Sequence, residues 1–316
     1  MKAIYALAVA ATIGGLMYMA SEPATLHEGD FAQFVAEYRR SYFSSEEYNF
    51  RLGVFEANMK KIAEMNANPN DRAHYGITKF ADWTDEEFQA ILNHHMEDDL
   101  PVMEEVDYDG IVTEDSFDWR EHEGMMTPIK DQGSCGSCWA FASNEAHESA
   151  WAIKTGELLD LSEQELVDCS RPYGTHGCLG GWYFYAWDYV KEVGGLSLQE
   201  DYPYTGRDET CKTVSQRHAP IKGYKKIAKN DNAFKAAIIE EPVAVALDAS
   251  KWSSYKGGVF SNCVSGTNHA VDAIGFDGEA WVIRNSWGAR WGENGYMRIA
   301  LGDTCGIEQY IYEVLV

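Results

Sequence analysis

Residues 132–139 read Gln-Gly-Ser-Cys-Gly-Ser-Cys-Trp, with Cys135 and Cys138 three apart. That spacing serves three chemistries: a redox dithiol, half of a zinc site, or a disulfide beside a free nucleophile. A redox pair normally opens a helix within a βαβ unit of a reducing compartment, and neither condition is met here. Zinc wants a second pair at comparable spacing, whereas Cys169 and Cys178 are nine apart and no histidine pair sits near them. One bridged and one free cysteine is the arrangement left. The cysteines number seven, so any pairing within the chain leaves one over. Cys138 stands where a helix is predicted, from about Ser137 to Thr155, with Phe141, Glu145, Glu148 and Ala152 at helical spacing and Gly156 as the stop. Unpaired N–H groups and the helix dipole at that N-terminus favour a thiolate, the nucleophilic form.

A nucleophile needs a base, and the base an orienting group. His269 in TNHAVDAIGF and Asn285 in RNSWG follow Cys138 by 131 and 147 residues. Singly, His269 reads equally well as a core histidine, Asn285 as a turn residue and Gln132 as a surface amide. Jointly and in this order, with Cys-Gly-Ser-Cys-Trp at the nucleophile, they resemble the papain-like cysteine peptidases, whose His and Asn lie some 130 to 150 residues beyond the cysteine. The resemblance runs from about residue 28 to the end and implies an α+β, two-domain fold: a helical left domain and a β-barrel-like right domain, preceded by a helical pro-domain. It implies that Cys138 attacks the scissile carbonyl and that His269 pairs with the thiolate and protonates the leaving amine. Asn285 would orient the imidazole under the shield of Trp287, and Gln132 would join the Cys138 N–H in an oxyanion hole.

Six cysteines besides Cys138 allow 15 connectivities by sequence alone. The resemblance selects Cys135 with Cys178, Cys169 with Cys211, and Cys263 with Cys305. It also assigns Gly180 and Gly181 to a glycine-rich wall that pairs with an extended substrate. The pocket for the second residue before the cut falls to Trp182, Tyr183, Ala246, Thr267, Ala270 and Tyr310, with Tyr310 at its base favouring medium aliphatic side chains. The short interval from Cys169 to Cys178 has no room for the occluding loop of dipeptide-releasing relatives, which implies an endopeptidase.

The front third carries a second resemblance. Glu47, Arg51, Phe55, Asn58, Ile62 and Asn66 reproduce the interspersed helix motif of cathepsin-L-type pro-segments, and Gly76, Phe80 and Asp82 follow in the companion motif, with Thr78 where asparagine is often written. The implied role is an inhibitor running backwards through the cleft until it is removed, with protein and peptide substrates admitted afterwards.

Stepping outward to the elements, residues 28–92 have helical spacing, with Phe31, Phe34, Val35 and Tyr38 on one face and Leu52, Phe55, Met59 and Ile62 on another. From His95 to Glu114 the chain is acidic and aperiodic and reads as an extended connector. Ser162 and Glu165 offer a capping box, with Leu161 as a staple. Beyond Lys222, PVAVALDA, HAVDAIGF, AWVIRNSW and GYMRIA read as strands separated by turns. A helical half is therefore followed by a sheet half, with a cleft expected between them.

The chain of 316 residues has 26 basic and 50 acidic residues, a formal charge of −24. Between Glu22 and Val112 stand 7 basic and 20 acidic residues, so the front third holds just over half of that charge. Without a basic stripe, nucleic acid is excluded as a partner. Residues 1–20 have the layout of a secretory signal peptide, with a membrane anchor as the alternative, and the cysteine count agrees with an oxidising route. The expected organisation is a signal peptide at 1–20, a pro-segment at 21–112 and a peptidase at 113–316. A monomer without stable membrane association, in a lysosome-like compartment or outside the cell, is expected, and nothing calls for a metal or organic cofactor.

Overall fold

The computed structural model describes residues 28–92, 100, 102–108, 112–264 and 266–316, and the signal-peptide reading of 1–20 lies outside them. The chain divides into two compact units between Ser41 and Tyr42. In the first, helix α1 (Glu28–Glu37) buries Phe31 and Phe34, whose rings lie 6.1 Å apart, with Tyr38 5.0 Å from Phe34.

The second unit opens with helix α2 (Ser45–Asn66), capped by Ser44 Oγ accepting from the Glu47 amide at 3.1 Å. Strand β1 (Arg72–Tyr75) and helix α3 (Asp85–Ala90) follow. Helix α3 begins with a complete capping box: Thr84 Oγ1 accepts from the Glu87 amide, and Glu87 Oε2 accepts from the Thr84 amide. At Ser162–Glu165 only half of the expected box exists. Ser162 Oγ takes the Glu165 amide, but the Glu165 carboxylate turns away to the Ser197 amide, the Tyr189 hydroxyl and Arg217. A buried carboxylate is better served by a guanidinium and hydroxyls than by returning to its own helix end.

The remaining elements, in chain order, are β2 (Glu105–Val106), β3 (Phe117–Asp118), α4 (Cys138–Thr155), α5 (Glu163–Cys169), α6 (Tyr183–Val193), β4 (Gly223–Ile227) and α7 (Asp231–Glu240). Strands β5 (Val243–Leu247), β6 (Tyr255–Phe260), β7 (His269–Phe276), β8 (Ala280–Arg284), β9 (Tyr296–Ala300) and β10 (Ile311–Leu315) complete the chain. The fold is α+β, with helices preceding a sheet. The strands follow an open path, β1-β6-β9-β8-β7-β5-β10-β4-β2, with β3 added to β7. Where a barrel-like half was expected, the path has two ends, and both are strands of the front segment: β1 antiparallel to β6, and β2 parallel to β4. The backbone donors and acceptors that an edge leaves unpaired are thus covered by residues ahead of position 113. The connector after His95 is accordingly not wholly extended coil, since Glu105–Val106 joins the sheet.

Helix α4 is buried nearly all round from Cys138 to Ala150, because it packs on β7, β5 and β10 on one side and on α5 and α6 on the other. One core gathers under the sheet around Phe234, Trp281 and Trp252; the other surrounds α4 and α6 with Trp187, Phe184 and Tyr312. Three disulfides, Cys135–Cys178, Cys169–Cys211 and Cys263–Cys305, join residues 43, 42 and 42 apart. Loops of that length are each stabilised by about 4 kcal/mol on a chain-entropy account.

Candidate active site

Cys138 is the only free cysteine and is the first residue of α4. Its sulfur receives the amides of Ala270, Trp139 and Cys138 itself, which places it beside the start of β7. His269 is the first residue of that strand, and its Nε2 lies 2.8 Å from Asn285 Oδ1. Asn285 directly follows β8, which pairs antiparallel with β7. Asn285 Oδ1 also accepts the Ser286 amide at 2.9 Å, so the amide oxygen faces the imidazole by a fixed bond to its own chain. Trp287 stacks on the imidazole at 4.7 Å, and Trp252 meets it edge-on at 5.8 Å. His269 Nδ1 has no hydrogen-bond partner among the described residues.

Gln132 is held on both ends of its amide. Oε1 accepts from Ser286 Oγ at 2.8 Å and from Trp287 Nε1 at 3.1 Å. Nε2 donates to Cys135 O at 2.9 Å and to Ile91 O at 3.0 Å. Ile91 belongs to the front segment, so a carbonyl from that segment sits where Gln132 offers its outward proton. Tyr204, which the sequence did not single out, steadies this loop by donating to Gln132 O at 2.8 Å and meeting Ser137 Oγ at 2.7 Å.

Burial decides the protonation of the pair. It pushes the Cys138 thiol up to about 12 against the pull of the three amides, and the His269 imidazole down to about 4 against its bond to Asn285. Burial thus favours the neutral form of both groups in this covered state, against the thiolate and imidazolium expected of an open site.

The cover is built from the front-segment motif. Arg51 makes a bidentate bond to Glu87 at 2.6 and 2.8 Å and donates to Asp82 O at 3.0 Å. Asn58 Nδ2 ties Ala81 O and Trp83 O, Asn66 exchanges two bonds with the Tyr75 backbone, and Glu47 takes the Phe43 amide. Phe55 is fully buried and Ile62 packs on the sheet core. Asp82 accepts the Tyr42 hydroxyl. These bonds hold the 78–83 loop in shape, and the loop in turn grips the sheet half. Thr78 Oγ1 donates to Ser253 O at 2.5 Å, the Gly76 amide to Ser254 O at 2.8 Å, and Lys79 pairs with Asp131. A Cβ on Gly76 would stand 3.0 Å from the Lys256 side chain. Phe80 and Phe88 then lie edge-on against Trp287 at 5.2 and 5.4 Å. Each buried ring contributes about 1.5–3 kcal/mol of apolar burial, and each aromatic pair about 0.5–1.5 kcal/mol more.

Of the residues expected to form the glycine wall and the pocket, Trp182, Tyr183, Ala246 and Ala270 fall in the apolar cluster that contains Cys138, and Tyr310 packs against it. A Cβ on Gly181 would stand 3.0 Å from the Trp139 ring and 3.1 Å from Thr175, so any larger residue would have to push these neighbours back by a few tenths of an ångström. Gly180 has φ of +125°. Trp182, Tyr183, Ala246 and Ala270 share one apolar cluster, with Ala246 opposite Ala270 in the β5–β7 register and Tyr310 packed against it. The Tyr310 ring lies 4.8 Å from Trp182, and its carbonyl accepts the Tyr183 hydroxyl. Thr267 is partly exposed two residues before His269. Glu308, two positions from Tyr310, is oriented by its amide bond to Asp303 and interacts with Asp231, the first residue of α7.

Behind the site is a charged network that the sequence reading passed over. Lys130 bridges Glu148, Glu163 and Asp160, and Arg284 contacts Thr127, Pro128 O and Glu145. An arginine inside the otherwise apolar run Ala280–Ile283 was the available signal.

Comparison with known proteins agrees with this geometry. Residues 113–315 match the papain family cysteine protease domain, and residues 31–88 the cathepsin propeptide inhibitor domain. The chain is 37% identical over 297 residues to a cathepsin L-like proteinase of Phaedon cochleariae, covering 88% of this chain and 91% of that one. It is 38% identical over 307 residues to cathepsin L 1 of Paramecium tetraurelia, covering 93% and 96%. The solved digestive procathepsin L 3 of the Tenebrio molitor larval midgut superposes with a TM-score of 0.84 at 34% identity, over 93% of this chain and 100% of that one.

Proposed function

The chain belongs to the papain family of cysteine proteases and is a zymogen with its own inhibitory propeptide, and from that premise we propose the following assignment of parts. Cys138 is the nucleophile, His269 the acid and base, Asn285 the orienting group, and Gln132 with the Cys138 amide the oxyanion hole. Once the cover is gone, the Cys138 proton passes to His269 and the thiolate attacks the scissile carbonyl. The oxyanion accepts from Gln132 Nε2 the hydrogen bond that Ile91 O now accepts. Collapse breaks the C–N bond as the imidazolium protonates the leaving amine, giving a thioester, which water opens with His269 as base. The observation carrying this reading is the bond from Gln132 Nε2 to Ile91 O beside the His269–Asn285 pair: a peptide carbonyl already docked on the intended donor.

Residues 1–20 serve as the signal peptide, 21–112 as the pro-segment and 113–316 as the peptidase. The mature enzyme is a monomeric endopeptidase acting on protein and peptide substrates within an acidic compartment of the secretory route or outside the cell. Three disulfides support an oxidising route, and no helix among the described residues is long and apolar enough to cross a membrane. Gly180 and Gly181 pair with the substrate backbone. Tyr310 closes the pocket that Trp182, Tyr183, Ala246, Thr267 and Ala270 line, which favours leucine over arginine before the cut.

Thiol counting on the mature form tests the assignment. One titratable thiol, lost in Cys138→Ala, is expected; three, with Cys135 and Cys178 also free, would return the Cys135–Cys138 pair to redox chemistry. A peptide library preferring arginine over leucine at the second position would overturn the pocket.

A further inference from the structure

The seam between α4 and β7 holds more buried acid than buried base. Glu145 and Glu148 on α4, Glu163 on α5 and Asp272 on β7 are each at most 1% exposed. Facing them are two cations, Arg284 at the end of β8 and Lys130 ahead of α4, with Asp160 at the exposed rim. Tyr296 on β9 lies near Arg284, and His147, on α4, turns its Nε2 to Ala219 O.

Two of the four buried carboxylates are fully served. Glu148 takes Lys130, the Thr127 hydroxyl and the Leu161 amide, and Glu163 takes Lys130 and Gln199. Glu145 and Asp272 are left with Arg284 alone. Arg284 Nη2 is 3.4 Å from Glu145 Oε1, and Asp272 is the cross-strand partner of Arg284. Both oxygens of Asp272, Oε1 of Glu145, and Nε and Nη1 of Arg284 have no hydrogen-bond partner among the described residues. Two buried carboxylates served by a single ion pair, with Asp272 making none among the described residues, cannot both be charged at low cost.

We propose that Glu145 and Asp272 hold one proton between them beneath the catalytic strands, and that losing it parts α4 from β7, so that this pair sets the upper pH limit of the active form. The placement links the pair to catalysis. Glu145 is seven residues from Cys138, two turns along the same face of α4. Asp272 is three residues from His269 on β7, and Arg284 immediately precedes Asn285. A seam forced open by a second negative charge draws the nucleophile away from its base. Burial raises both carboxyls, Glu145 to about 7, with Arg284 opposing in each case. A raised carboxyl stabilises the folded state fully below its unfolded value and ceases to do so as pH climbs through the folded one, here around neutrality.

The experiment follows matured parent, Glu145→Gln and Asp272→Asn at pH 5.5 to 8.5, reading both residual peptidase activity and tryptophan fluorescence. Fluorescence tracks the seam even if the assigned catalytic roles are wrong. The parent should inactivate and unfold faster as pH rises, by up to about tenfold per pH unit approaching neutrality and levelling off above it, as loss of one proton requires. Each variant leaves one carboxylate against one guanidinium and should flatten that slope, with kcat/KM at pH 5.5 within about twofold of the parent. If Asp272→Asn does not fold, Glu145→Gln answers the same question. A parent rate that does not change with pH over this range, or a folded variant that keeps the parent's slope, overturns the proposal.

Discussion

Gln132 Nε2 donates to the Ile91 carbonyl at 3.0 Å while Gln132 Oε1 is fixed by Ser286 and Trp287. On the proposed assignment, the amide proton that the pro-segment engages before activation is the one offered to the reacting carbonyl after it. Gln132→Ala is expected to lower kcat of the mature enzyme about 10²- to 10³-fold, in line with loss of one oxyanion donor. It should also weaken inhibition by the free pro-segment. Unchanged kcat with weakened inhibition would make Gln132 a latch only.

The latch has a second fixed point at Arg51, whose bidentate bond to Glu87 and bond to Asp82 O shape the loop carrying Phe80. These groups are partly exposed, 20% and 38% for the two side chains, so solvent screening reduces their worth. Arg51→Ala should mature about tenfold faster than the parent at a given acidic pH. Equal maturation half-lives for the two precursors would show that the loop keeps its shape without the pair.

Acid should favour opening, and the sign follows from two groups. His269 is depressed to about 4 by burial, so its contribution to the closed form is present above its ordinary value near 6.5 and is lost as pH falls from there toward 4. Glu87 is held low by Arg51, so its contribution is lost as pH falls below the ordinary carboxylate range. Maturation rate should rise steadily from pH 6.5 to pH 4. Before opening, the neutral Cys138 thiol should react with an alkylating agent more than about 100-fold more slowly than in the mature enzyme at pH 6; similar rates would mean that the precursor's site is already exposed.

The stretch proposed for maturation, Thr113–Ser116, lies far from Cys138. Val112 is held by Asn232 at 2.8 Å, and Phe117 pairs with Phe276, the residue at the other end of β7 from His269. Eight extended residues span roughly 23 Å. Cleavage between Thr113 and Ser116 should therefore be made by a second molecule, with a rate rising with protein concentration. Cys138→Ala precursor should persist alone and be cut when mature enzyme is added. Conversion at a rate independent of dilution would argue for cutting within one molecule.

Much of the site was legible because family chemistry specifies residue types at set intervals: Cys138, His269, Asn285 and Gln132 are recognisable without coordinates. Strands β5, β7, β8 and β9 were legible from their apolar runs and α2 from its motif, whereas β4, β6 and β10 were not read. Glu165 was misread because a capping box is a local pattern, while its actual partners Ser197, Tyr189 and Arg217 come from elsewhere in the chain. Glu145 was placed on the face of α4 with Phe141 and Ala152, but its partner Arg284 and its burial against β7 come from distant sequence and were not foreseen. The pairing of β1 and β2 with the two sheet edges was beyond reach too, since strands of four and two residues carry little period.

The most direct test of the account is turnover of a fluorogenic peptide with leucine before the scissile residue, under mild reducing conditions. Parent and Cys138→Ala are compared after acid incubation, with added mature enzyme removed once both pro-segments are gone. The account predicts turnover by the parent and none above background by the variant. Equal turnover by the two, or none by either although the pro-segment has been removed, would contradict it.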